Sequence, residues 1–146
     1  MKPEDIWNQV KSILENDATL SSYVKAVYEG MRSRIPTAPC IILEPVANRE
    51  KDVSVPSRIE GVFTIMIFGV IRAYDVGKQI VGDADHKGIL DMEQDIKKAL
   101  GAYPNLNGTC IYFEFPNTIF DFSEYPIRRV DIELAVHYRQ DFKTRA

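Results

Sequence analysis

Along residues 128–140, RRVDIELAVHYRQ, every second position is apolar: Val130, Ile132, Leu134, Val136 and Tyr138. Arg129, Asp131, Glu133, Ala135, His137 and Arg139 stand between them. A period of two places these sets on opposite faces of a β-strand. The segment therefore predicts one face turned to a core and one carrying charges of both signs. A longer run, RIEGVFTIMIFGVIRAY at 58–74, is apolar on both faces between residues 62 and 71. That pattern predicts a central strand covered on both sides.

Two stretches have helical spacing instead. In PEDIWNQVKSILE (3–15), Ile6, Val10, Ile13 and Leu14 form one stripe with Trp7 at its edge. Pro3 suits a first turn, and Glu4 and Asp5 oppose the positive end of the helix dipole. In HKGILDMEQDIKKAL (86–100), Ile89, Met92, Ile96, Ala99 and Leu100 share a face, and Gly101 supplies a stop. Asp17 is placed to cap a single turn through ATLSSY.

Shorter strands are expected at VKAVYEG (24–30), at CIILE (40–44) ended by Pro45, and at TCIYFEF (109–115) ended by Pro116. ANREKDVSVPSR (47–58) reads as a polar loop or the tip of a long hairpin, and NLNG (105–108) as a turn. GKQIVGDADH (77–86) reads as loop or a weak first turn, and 117–125 as a loop with a short strand at IFDF. No repeat or linker divides residues 1–146, so a single domain is expected. Helices interspersed with runs of strands, without strict alternation, predict an α+β fold. The expected form is a two-layer sandwich, a mostly antiparallel sheet of about five strands packed against two helices, in the order α-β-β-β-α-β-β.

Composition narrows the function classes. The 18 Lys and Arg are scattered among 21 Asp and Glu, which gives no basic footprint for nucleic acid. The longest apolar run, residues 62–71, is half the length of about 20 residues that a membrane-spanning helix needs. The opening MKPEDIWNQV lacks the apolar stretch of a secretory signal, so a soluble chain of cytosolic origin is expected. Cys40 and Cys110 each open an apolar run, which predicts two buried free thiols rather than a disulfide. Neither has the spacing of a zinc ligand.

Two constellations are chemically suggestive. Asp83, Asp85 and His86 offer oxygen and nitrogen donors for a divalent metal, but acids also belong in the first turn of a helix. Asp131, Glu133 and His137 share a strand face at steps of roughly 7 Å. A proton-transfer or metal site needs its groups within about 3 Å of a common atom. The sequence also lacks the nucleophile-elbow, phosphate-loop, dinucleotide and HExxH signatures. No catalytic, metal or cofactor residue is assigned.

The order of elements as a whole resembles the tail-terminator, or tail-completion, minor tail proteins of long-tailed bacteriophages and prophages. The resemblance rests on the leading amphipathic helix, PCIILEP, the long strand RIEGVFTIMIFGVIRAYD, the helix ILDMEQDIKKALG and the final strand VDIELAVHYRQ. It implies a structural virion protein without enzymatic activity or cofactor, located in the virion tail. Its partners would be further copies of itself in a closed ring, commonly a hexamer, with the tail tube protein and the head-tail connector. Such a ring ends tail polymerisation and presents a surface for head joining. Under that reading the subunit-contact candidates are Arg49, Glu50, Lys51, Asp52 and Arg58 in the charged loop. On the last strand they are Arg129, Asp131, Glu133 and Arg139. A ring needs two different patches that match head to tail, and mixed charge suits that need. A small metal-dependent enzyme and a generic α+β binding module are the alternative functions.

Overall fold

A computed structural model of the chain describes residues 2–30, 37–54, 58–72, 87–123 and 126–141, and only the backbone of residues 52–54. Helix α1 spans Pro3–Asn16 and the single turn α2 spans Ala18–Ser21. Strands β1 (Ala26–Glu29), β2 (Cys40–Ser54) and β3 (Arg58–Arg72) come next, then helix α3 (Ile89–Gly101), β4 (Tyr112–Asp121) and β5 (Ile127–Asp141). The strands form one sheet in the order β1-β2-β3-β5-β4. Every pairing is antiparallel except that of β1 with β2. The fold is α+β, with the helices against one face of the sheet.

Local chemistry explains the helix starts. The Asp5 carboxylate accepts from the backbone N–H of Lys2, Asp17 accepts from Leu20 at 3.0 Å, and Asp91 accepts from Gly88 at 3.0 Å. Each satisfies a donor left open by helix geometry. The stripes anticipated from spacing are buried: Ile6, Val10, Ile13 and Leu14 on α1, and Ile89, Met92, Ile96, Ala99 and Leu100 on α3. They pack on Ile41, Leu43, Ile65, Ile67, Ile132 and Leu134 of the sheet. Each such side chain contributes about 1.5–3 kcal/mol by leaving water. Gly69 lets α3 come close, because a Cβ there would stand 2.8 Å from Met92 Sδ.

The single turn anticipated through ATLSSY forms and is capped by Asp17, adding a short helical element to the two long helices. Other expectations change. Pro45 does not end β2, which continues to Ser54, and Pro116 does not stop β4, which absorbs the segment read as loop. Both prolines lie at register shifts, on strands where a missing N–H does least harm. Of the two readings of 47–58 the hairpin holds, residues 47–54 lying in β2 and Arg58 opening β3, with residues 55–57 outside the described residues. Finally, β3 is central but covered unevenly. Phe63, Ile65, Ile67 and Ile71 are buried under the helices, while Val62, Thr64, Met66 and Phe68 on the other face are only half-buried.

That second face has a small apolar cluster of its own at one end: Cys40, Ile42 and Val70, with Tyr28, Ala38, Phe68 and Ile127 against it. Cys40 and Cys110 are buried and free, in keeping with the apolar runs they open. The NLNG turn carries Leu106 and Asn107 at φ of 48° and 58°, with Leu106 fully buried as its anchor.

Candidate functional site

The helix-packed core ends near Phe63 and Tyr138. Beyond them the β2–β3 hairpin and the end of β5 continue as a mostly polar ladder, in which Gln140 is still buried and Ile59 half-buried. On the helix side, Tyr138 Oη donates to Asn48 Oδ1 at 2.8 Å and lies 3.2 Å from Glu50 Oε1. Burial, with Glu50 close by, pushes the Tyr138 phenol above its ordinary value, although the bond to Asn48 opposes the change. On the opposite face, register sets Arg58 across from Asp141 and Glu60 across from Arg139. Both are ion pairs, the first at 3.5 Å.

Most charges on the outer face of β5 are paired, with Glu133 lacking an ion partner among the described residues. Arg129 bonds Asp131 on its own strand at 2.7 Å and Asp121 of β4 at 2.9 Å, with its guanidinium over the Phe68 ring. Two hydrogen bonds from Ser123, and then Arg129, hold the Asp121 carboxyl below the ordinary carboxylate range. His137 Nε2 stands 3.2 Å from Glu114 Oε1, and its ring stacks on Tyr112 with centroids 4.2 Å apart. Asp131, Glu133 and His137 therefore do not converge: the first turns to Arg129 and the last to Glu114. Among the described residues, no group of three or more His, Cys, Asp or Glu is placed to hold a metal. Asp83, Asp85 and His86 lie outside the described residues.

Of the nine contact candidates, Arg58, Arg129, Asp131 and Arg139 are engaged within the chain, and Glu50 bonds Tyr138 and Asn48. Arg49 and Lys51 remain on the outer face of β2 without an ion partner among the described residues. Asp52 is placed on the hairpin by its backbone alone. A shallow groove of about 460 Å³ runs between Arg49, Lys51, Val62, Tyr112 and His137, joining the hairpin to the start of β4.

Sequence reasoning missed the apolar character of the β4 edge. Ile111, Tyr112, Ile119, Phe120 and Phe122 are all exposed there, and Val46 is exposed on β2. Had the strand been followed through Pro116, residues 118–122 would have shown apolar side chains on both faces of an edge.

Comparison with known proteins bears on the architecture alone. No protein-family model matches the chain, and no curated relative matches it. Among solved structures, it is similar to a chain of a structure described as "Virion of native gene transfer agent (GTA) particle". The similarity covers 89% of this chain and 91% of that one, with a TM-score of 0.51 and 17% sequence identity. The shared property is the fold over nearly the whole length.

Proposed function

We propose that this protein is a structural component of a phage-like particle, and that its copies close into a ring on the end of the tail tube. The observation that carries the reading is the fold shared almost end to end with a chain of a gene transfer agent virion particle. The arrangement of the sheet supports it. One face is sealed by helices, while the other carries paired charges around a half-buried apolar strip and continues into the exposed hairpin. A ring of identical subunits needs two unlike surfaces joined by rotation, and this sheet offers two unlike edges. In this role the protein is not an enzyme. The ring, commonly six-membered in the family it resembles, ends tube growth and presents its far side to the head connector.

Light scattering and negative-stain microscopy of the purified chain, alone and with isolated tail tubes, test this. The expected result is a closed ring, free or seated at one end of each tube. A protein that stays monomeric at high concentration and leaves tubes undecorated would overturn the proposal.

A further inference from the structure

We infer that neighbouring subunits join strand to strand, the outer edge of β4 pairing antiparallel with the free edge of β2 beyond Leu43 in the next copy. This rests on the ring reading and names its joint. Strand β1 pairs with β2 only across Cys40–Leu43, so among the described residues the rest of β2, to Ser54, has no neighbour on that side. Strand β4, 10 residues long, lies at the other side of the sheet and has no outer neighbour among the described residues. Each edge presents a row of backbone N–H and C=O groups of the kind that pairs with another strand.

Three observations select a second copy, and these two edges, over other occupants. First, direction matches. Strand β4 runs opposite to β5, and β5 and β2 both run opposite to β3, so a rotated copy brings β2 antiparallel to β4. Second, charge matches. The carboxylates on β4 share its outer face, Asp121 already held by Arg129 and the more exposed Glu114 beside His137, and β4 carries no Lys or Arg. The outer face of β2 carries Glu44 at the start of the free edge and, farther along, Arg49 and Lys51, the two bases lacking an ion partner among the described residues. Pairing β4 with β4 would set acid against acid, whereas antiparallel pairing with Ile119 beside Val46 brings Glu114 to Lys51. Third, both edges expose apolar side chains where they would meet, with Ile119 53% exposed and Val46 55% exposed. Pro45, Pro116 and the bulges beside them interrupt both edges, which disfavours indiscriminate stacking and fixes one register.

The joint is tested with Val46→Lys and Ile119→Lys, each at a side chain more than half exposed, so the thermal melts should match that of the wild type. Each variant alone is expected to lose assembly and run as a monomer in light scattering. An equimolar mixture is expected to give a species of twice the monomer mass. One partner keeps an intact β4 edge and the other an intact β2 edge, so two copies can join and no more. Rings that persist in both variants would overturn the joint and leave the ring standing. Assembly lost only in Ile119→Lys would point to β4 pairing with itself, and a mixture that stays monomeric would exclude the head-to-tail joint. A wild type that assembles neither free in solution nor on tail tubes would overturn the joint and the ring together.

Discussion

Tyr138 occupies the space that a side chain at position 61 would need: a Cβ on Gly61 would stand 2.6 Å from the Cε1, Cζ and Oη atoms of the tyrosine. The two residues are directly opposite in the β3–β5 register. Glycine at 61 thus lets the ring cross β3 and reach Asn48 and Glu50 on β2, tying three strands together where the core ends.

Gly61→Ala is expected to cost about 1–3 kcal/mol through overpacking. Tyr138→Phe keeps the ring and loses only the hydroxyl bonds, at about 0.5–1.5 kcal/mol. Urea unfolding of both variants checks the ranking. An alanine at 61 without cost would mean that the ring does not lie there.

Arg129 links β4 to β5 through Asp121 and Asp131, and its side chain is 26% exposed. Arg129→Ala is expected to cost about 1–2 kcal/mol, because it leaves two carboxylates facing each other without their cation. Arg129→Lys should recover part of this, since an ammonium cannot reproduce the fork geometry. Thermal melts at low and high salt would separate the charge contribution from the packing on Phe68.

Much of this fold is legible in the order of residues alone. The alternation from Val130 to Tyr138 and the stripes of α1 and α3 are burial patterns, and burial follows period. The lengths of β2 and β4 are not legible, because a proline inside a strand reads as its end unless the strand is known to lie at an edge. Being at an edge is a property of the whole sheet. The candidate site is half legible for the same reason. Arg129, Asp131 and Arg139 stand out as charges in the sequence, but which of them are already paired depends on register with Asp121 and Glu60, far away in the chain. The parallel placement of β1 beside β2 leaves no local signal at all.

The hydrogen bond from Trp7 Nε1 to Glu29, and then the nearby Lys11, hold the Glu29 carboxyl below its ordinary 4.5. A lowered value means the folded chain favours the charged form. Its contribution is therefore present above pH 4.5 and lost as the pH falls through the lowered value. Trp7→Phe is expected to move the Glu29 titration upward by more than Lys11→Ala does. NMR titration of the side-chain carboxyl reads this directly, and an unmoved titration in Trp7→Phe would contradict the bond.

Burial pushes both thiols, Cys40 and Cys110, up to about 11. The native protein should therefore react slowly with a thiol reagent at pH 8 and rapidly in urea. Because the folded state holds these protons more tightly than the unfolded chain, whose thiols titrate at about 8.5, stability should decline as the pH rises from there to about 11. Fast labelling of either cysteine under native conditions would place it outside the core.

Strands β2, β3 and β5 each run 15 residues, about 50 Å at the usual rise, whereas α1, at 14 residues, reaches about 21 Å. The helices cannot shelter the whole ladder. This surplus length separates two evolutionary pressures along a single strand: the sheltered half answers to folding, the overhang only to whatever it touches. Side chains at the tip can drift to suit a new companion while the scaffold behind them stays the same.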